Sequence, residues 1–282
     1  MIRSGLLGRS ILSSRSPWLH EQEARAQGVD LSYTLFDFTD RALDDADLPA
    51  MLAELADKEF AGFNVTYPFK QMIIPLLDDL SDTARAVGAV NTVAIRDGRM
   101  VGHNTDLTGF RDNLRLTLPD AKLDRVLQLG AGGAGAAVAN ALLSLGVARL
   151  DLYDIDAERA SGLAGQLAGH YPGQDITVRA PGDGNTDSVD GIVNTTPIGM
   201  ASAPGMPIDP AQLRAGHWVA DIVYFPLDTA LLQAARARGC ATLDGSGMVV
   251  RQAAMAFEII TGLQSDPQRM LRSFAVPTEP SL

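Results

Sequence analysis

The sequence predicts an α/β protein with parallel strands, built from two units. Three observations lead there. Short apolar runs alternate with stretches of helical spacing almost from end to end. A glycine-rich hexapeptide, residues 130–135, joins one such run to a helix of small residues. The 282 residues, 46% hydrophobic and 20% charged, suffice for two modest domains with real cores.

In the first third, SGLLG (4–8), YTLFDF (33–38) and FAGFNVT (60–66) read as strands, with helical spacing at 17–27 and 48–58 between them. Ser16 before Pro17 predicts a helix start, because the serine oxygen can cap free N–H groups and a first-turn proline gives up no bond. Gly28 predicts its stop. Residues 107–116 read as a helix leading to a second series. There VLQLG (126–130), LDLYD (150–154), GIVNTT (191–196) and WVADIVY (218–224) read as strands, and 133–145, 157–168 and 229–238 as helices. Residues 180–188 (APGDGNTDS) carry loop chemistry. Helical spacing returns at 249–261 and 267–274. The economical division is two α/β units joined near 106–124, and periodicity alone does not assign the last helices to either.

The formal charge is −11 and the pI about 4.7. Such a surface repels phosphate backbones and anionic lipid, so neither nucleic acid nor a membrane is expected as partner. An anionic small molecule would need a locally neutral or basic pocket. One cysteine, Cys240, leaves no internal disulfide framework, and no Cys/His spacing suits a metal. A reducing, cytoplasmic setting fits, and no apolar run approaches the ~20 residues that span a bilayer. Residues 1–20 hold Arg3, Arg9, Arg15, five serines and no acid. By composition alone that stretch would suit an organellar transit peptide.

Gly130, Ala131, Gly132, Gly133, Ala134 and Gly135 fit GxGxxG, a weak pattern alone. Its place after a strand and at the head of a helix strengthens it. Glycine there permits a tight turn and lets backbone N–H groups approach a pyrophosphate. The alternative is a packed strand–helix turn without ligand. About 20 residues on, where a carboxylate would meet ribose hydroxyls, stand Asp154 and Asp156. Carboxylates accept from a free ribose diol and repel a 2′-phosphate, and nearby Arg159 sits behind them and Glu158. NAD is therefore expected over NADP.

Oxidation of a secondary alcohol needs a group to take the hydroxyl proton. Neither a Ser-Tyr-x-x-x-Lys arrangement nor a zinc set is visible. Two polar segments stand out instead: Asn64-Val65-Thr66-Tyr67-Pro68-Phe69-Lys70 and Gly102-His103-Asn104-Thr105-Asp106. Lys70 opens a predicted helix, where the dipole disfavours its charge and suits proton transfer; a solvated surface lysine is the plain alternative. Asp106, taken singly, reads as the cap of the 107–116 helix.

Taken in order, FNVTYPFK, GAVNTV, GHNTD, LGAGGAG, NTTPIGM, DIVYFPLDTALL and GMVVRQAAMAFEIITG closely resemble shikimate dehydrogenases and the related quinate/shikimate dehydrogenases, over about residues 8–274. The resemblance implies reversible hydride transfer between the C3 hydroxyl of shikimate or quinate and a nicotinamide dinucleotide. It makes Lys70 and Asp106 the catalytic pair: Lys70 exchanges the proton, and Asp106 orients it and bonds the neighbouring hydroxyl. Ser14, Ser16 and Thr66 would hold the substrate carboxylate, Asn91 and Gln252 the ring hydroxyls, and Tyr224 would lie beside the substrate. Placing the two serines there puts the N-terminal stretch in the folded protein. On the cofactor side it implicates residues 130–134, Asp154 and Asp156, with Thr195, Ile222 and Gly245 along the dinucleotide and Met248 near the nicotinamide. For Thr195 and Met248, turn or core packing is the competing role. It also implies a discontinuous substrate domain, 1–106 with 245–282, a Rossmann domain at 107–244, and a monomer or homodimer.

Two departures matter. Family members that use NADP usually carry Asn-Arg-Thr after the second Rossmann strand, where this chain has Asp154-Ile155-Asp156. That resembles the NAD-using quinate/shikimate branch and a catabolic role. The alternatives are an NADP-dependent biosynthetic enzyme reducing 3-dehydroshikimate and, more remotely, a non-catalytic ligand-binding member. Ser13 stands where many members have His, leaving Ser14 and Ser16 intact; quinate and shikimate are not ranked.

Overall fold

A computed structural model describes residues 1–180, 183 and 185–275. The sequence expectations for 276–282, and for 181, 182 and 184 within the predicted loop, lie outside the described residues. The chain divides into two compact units, Met1–Thr105 with Val250–Leu282, and Asp106–Val249. Relative to the boundaries expected from sequence, Asp106 and residues 245–249 group with the second unit instead of the first.

The first unit runs β1 (Ile2–Gly8), α1 (Ser16–Ala26), β2 (Leu31–Asp37), α2 (Leu48–Asp57), β3 (Gly62–Val65), α3 (Phe69–Met72), β4 (Asp79–Leu80), α4 (Asp82–Val87), β5 (Thr92–Arg96) and β6 (Arg99–His103). Its six strands lie in the order β2-β1-β3-β5-β6-β4. β1 is parallel to β2 and β3, while β5 is antiparallel to both β3 and β6. Alternation of apolar residues passes over the β5–β6 hairpin, but its turn carries the signal: Asp97 and Gly98 both adopt positive φ, 50° and 75°, between Arg96 and its partner Arg99. A two-residue Asp-Gly turn matches the twist of the flanking strands. Phe38, Phe63, Phe69, Leu55 and Ile73 are fully buried in one core, and Phe257 joins Leu6, Leu31 and Tyr33 in another.

α5 (Thr105–Thr117) leads into the second unit: β7 (Arg125–Leu129), α6 (Gly133–Ser144), β8 (Arg149–Tyr153), α7 (Ala157–His170), β9 (Asp175–Val178), β10 (Gly191–Asn194), β11 (Trp218–Asp221), α8 (Ala230–Ala237) and β12 (Ala241–Leu243). α9 (Ser246–Thr261) begins in this unit and ends in the first, followed by α10 (Pro267–Ala275). The sheet order is β12-β11-β10-β7-β8-β9, all parallel. Counted from β7, that is the 3-2-1-4-5-6 order of a Rossmann fold, and the order reverses at β7/β10. Strands covered on both faces read as continuous apolar runs, and β10 and β11 are buried throughout. Among the described residues no helix is long and apolar enough to cross a membrane, and no group of His, Cys, Asp or Glu could hold a metal.

Candidate active site

Register brings several of the singled-out residues of the first unit to one end of its sheet. Leu7 pairs with Val65, Asn64 with Thr92, and Thr92 with His103. The C-terminal ends of β1, β3 and β6 and the start of β5 therefore share one edge. That edge carries the turn with Ser14 and Ser16, then Thr66, Lys70, Asn91 and Thr105.

The serine turn is shaped by Asp37 at the end of β2. Its buried carboxylate accepts the N–H groups of Ser10 (2.9 Å), Ile11 (2.7 Å), Thr39 (2.9 Å) and Asp40 (3.4 Å). Burial alone would raise its pKa, but the four N–H bonds together outweigh it and hold the carboxyl below its ordinary value. Ile11 in turn accepts the Ser14 N–H at 2.9 Å. Ser14 Oγ donates to Ser16 Oγ (3.2 Å) and accepts from the Ser16 N–H (3.3 Å). The expected capping role of Ser16 is not found: α1 begins at Ser16 itself, its N-cap is Arg15, and no side chain caps it. The hydroxyl bonds elsewhere because the chain enters the helix one residue earlier than the proline suggests.

Lys70 is half-buried on α3, a helix of four residues. One turn carries little of a helix dipole, so the dipole argument for this lysine lapses; its place is set by the sheet edge. Its carbonyl accepts the Val90 N–H at 2.8 Å, tying the segment to the loop before β5. Thr66 is bonded through its N–H to the Leu7 carbonyl (2.9 Å).

Asn91 is buried at the centre of a polar network. Its Oδ1 accepts the Thr105 N–H (2.8 Å) and the Thr92 hydroxyl (3.1 Å), and its Nδ2 donates to Thr105 Oγ1 (2.9 Å) and Gln252 Oε1 (3.5 Å). Thr105 Oγ1 also reaches Gln252 Oε1 at 3.3 Å. Asn64 Nδ2 donates to the Asn91 carbonyl (3.2 Å) and to Thr92 Oγ1 (2.9 Å). Asn91 and Gln252 are thus brought together, joined by Asn64, Thr92 and Thr105, which sequence reasoning did not assign. A sequence signal for Asn64 existed: an amide in the middle of an apolar strand must find partners.

In the second unit Asp106 is its first residue and is buried. It lies inside the first turn of α5, which starts at Thr105, so it is not the cap that the sequence suggests. Tyr224 is half exposed. Met248 is buried. Gly245 has a packing reason of its own, since a Cβ there would stand 2.6 Å from the carbonyl oxygens of Ile222 and Val223. Next to Ile222, the Asp221 carboxylate is buried and accepts from Thr229 Oγ1 (2.7 Å), Asn194 Nδ2 (2.9 Å) and the Val223 N–H (3.0 Å). Burial pushes its pKa up against those bonds.

The glycine turn fits a dinucleotide phosphate. Gly130 has φ 101°, open to glycine at no steric cost. A Cβ on Gly135 would meet the Gly130 carbonyl at 2.5 Å. By contrast, a Cβ on Gly132 or Gly133 would meet nothing within 4 Å. Chain packing does not demand glycine there, and the approach to the uncapped start of α6 stays clear. The turn is held rigid from below. Gln128 Nε2 donates to the Gly130 (2.8 Å) and Gly135 (2.9 Å) carbonyls, and Thr195 Oγ1 to those of Leu129 (2.8 Å) and Gly130 (2.9 Å). Thr195 therefore shapes the turn through its side chain. Asp154 does so too: Oδ2 accepts the Ala131 N–H at 2.7 Å and Oδ1 the Asp156 N–H at 2.9 Å. Asp156 caps α7 through the Arg159 N–H (3.1 Å).

The family model of the shikimate dehydrogenase substrate binding domain matches residues 6–93. The chain is 49% identical to a shikimate dehydrogenase (NADP(+)) of Pseudarthrobacter chlorophenolicus, over 96% of this chain and 93% of that one. The chain belongs to the shikimate dehydrogenase family. A quinate/shikimate dehydrogenase (NAD(+)) of Corynebacterium glutamicum is 44% identical, with 96% of each chain covered. The structure of a quinate dehydrogenase from Corynebacterium glutamicum in complex with NAD superposes with a TM-score of 0.92 at 43% identity, covering 97% of this chain and 98% of that one.

For a member of the shikimate dehydrogenase family, the stretch after β8 bears on the choice of dinucleotide. Arg159 reaches both Asp154 Oδ1 (3.5 Å) and Asp156 Oδ2 (3.2 Å), while Ile155 between them is 89% exposed. Arg159 is thus engaged by two carboxylates.

Proposed function

We propose that this protein is an NAD-preferring quinate/shikimate 3-dehydrogenase. The gathering of Ser14, Ser16, Thr66, Lys70 and Asn91 at one sheet edge carries the reading, because it assembles neutral donors for a carboxylate beside a lysine and an amide. The hydroxyls of Ser14, Ser16 and Thr66 bind the substrate carboxylate, and the amides of Asn91 and Gln252 bind ring hydroxyls. In oxidation the neutral Lys70 amine takes the proton of the reacting hydroxyl; as ammonium it returns that proton in the reverse direction. The family resemblance makes Asp106 the second member of the catalytic pair, accepting from the neighbouring hydroxyl. Tyr224 packs beside the ring.

Residues 130–134 would hold the pyrophosphate of the dinucleotide and Asp154 and Asp156 its ribose, with Thr195, Ile222, Gly245 and Met248 along its length. When bound, NAD supplies the hydride acceptor, and in its reduced form the donor. The engagement of Arg159 by Asp154 and Asp156 supports NAD, since a 2′-phosphate would face two carboxylates for one arginine. The 49% identity to an NADP-named relative favours the second reading, an NADP-dependent biosynthetic enzyme reducing 3-dehydroshikimate. A cytoplasmic location accords with a single, buried cysteine.

Steady-state kinetics with quinate or shikimate, each with NAD or NADP, tests the proposal. We expect kcat/KM with NAD to exceed that with NADP clearly for at least one substrate; equal values refute the cofactor choice. Lys70→Ala should lower kcat by on the order of 100-fold or more while leaving substrate affinity largely intact. Retained turnover would remove Lys70 from the proton path.

A further inference from the structure

Arg15 stands between the two serines of the turn, and its side chain reaches across to α10. Its guanidinium donates through Nη1 to the Phe274 carbonyl at 2.6 Å and through Nη2 to the Ser273 carbonyl at 3.5 Å. The Phe274 ring is buried and lies against the same guanidinium, 5.0 Å from Cζ to the ring centroid. Near the start of α1, Trp18 Nε1 also donates to the Ser273 carbonyl, at 3.0 Å.

These contacts follow from the way the two helices pair. Arg269 meets Glu23 toward the far end of α1, whereas Ser273 and Phe274 meet Arg15 and Trp18 at its start. Rising numbers on α10 thus match falling numbers on α1, so the helices run antiparallel and residues 273–274 come to lie beside the serine turn. The Arg15 carbonyl accepts the Leu19 N–H at 3.1 Å. Arg15 is therefore fixed twice, by α1 through its backbone and by α10 through its guanidinium. On either side of it, Ser14 Oγ and Ser16 Oγ stand 3.2 Å apart.

We infer that Arg15 is a positioning residue for substrate binding: anchored on the Ser273 and Phe274 carbonyls, it fixes the chain between Ser14 and Ser16, so that α10 sets the two hydroxyls that receive the substrate carboxylate. This rests on the reading of Ser14 and Ser16 as carboxylate contacts. Charge-assisted bonds from a guanidinium, backed by an aromatic face, are strong enough to hold a turn. The turn is ordered before the ligand arrives, so that ordering does not subtract from affinity.

The test compares Arg15→Met, Phe274→Leu and the double variant in steady-state assays of the whole enzyme with shikimate or quinate and NAD, with Ser16→Ala as a check on the site. R15M keeps an apolar stem and loses the donors. It should raise KM for the hydroxy acid about tenfold, with kcat within about threefold. KM for NAD should stay within about twofold, which a general loosening of the fold would not leave unmoved. F274L alters only the far end of the contact and should raise the same hydroxy-acid KM about threefold. The double variant should stay near the roughly tenfold of R15M instead of reaching about thirtyfold, because both changes act through one contact. Full additivity would mean that Arg15 meets the carboxylate itself and overturns the inference. So does an unchanged hydroxy-acid KM in R15M; in both cases a raised KM in S16A leaves the site reading standing. If S16A leaves that KM unmoved, or the wild type turns over neither acid, the site reading falls and the inference with it. If R15M does not fold, Trp18→Phe removes one bond to the Ser273 carbonyl and must raise the hydroxy-acid KM about threefold with KM for NAD unmoved. Absence of that rise overturns the inference.

Discussion

Replacing Asp37 by Asn changes one atom in a carboxylate that four backbone N–H groups address. Asparagine keeps a single acceptor oxygen. Turned to serve Ser10 and Thr39, it presents its NH2 to the Ile11 N–H that the carboxylate accepts at 2.7 Å. A charge-assisted bond lost inside the protein, with donor left facing donor, costs about 3 kcal/mol. At about 2–4 °C per kcal/mol for chains of this size class, the melting temperature at neutral pH should fall by about 6–12 °C. The Ile11 carbonyl holds the Ser14 N–H at 2.9 Å, so KM for the hydroxy acid should rise as well. The carboxyl titrates below its ordinary 3.8 in the folded chain. Its stabilisation is therefore present above 3.8 and is lost as pH falls through the folded value. D37N should consequently lose less stability than the wild type across that acid range. Scanning calorimetry at several pH values measures both quantities. A melting temperature within about 2 °C of wild type at neutral pH would refute the role given to the four bonds.

His20 is buried and its pKa is lowered from 6.5 to about 4 by that burial. For a histidine held neutral, stability is complete above 6.5 and declines as pH drops toward about 4, by on the order of 3 kcal/mol in all. His20→Gln should flatten urea-unfolding stability over that window, and an unaltered slope would assign the pH dependence elsewhere. Arg269 holds the buried Glu23 carboxylate with two bonds, Nε at 2.8 Å and Nη2 at 2.5 Å, tying α10 to α1. Removing one partner of such a pair costs about 3 kcal/mol. Arg269→Met should therefore raise amide exchange across residues 267–275, and unchanged protection there would count against the clamp.

Much of the site was legible because its signals are local. A strand, a glycine turn and a small-residue helix adjoin in sequence, and the resemblance rests on runs of seven or so residues. The roles of Thr195 and Asp154 in shaping the turn were not legible, since their partners lie 65 and 23 residues away. Nor was the departure of Asp106 and Ser16 from capping, which depends on where each helix begins to the residue. Asp37 and Thr92 were passed over because a polar residue inside a strand shows its value only when the strand beside it is known.

The sequence by itself determined two α/β units, the parallel strands around residues 126–154, the glycine turn and the family, because periodicity and contiguous motifs need no knowledge of distant neighbours. Only the tertiary structure decided which strand ends share an edge, how Asp37 shapes the serine turn, and that Arg159 is held between Asp154 and Asp156. Those depend on register and on hydrogen bonds between segments far apart in the chain. One residue of slip in β1, β3 or β5 would turn every side chain to the opposite face and leave the same motifs without a site.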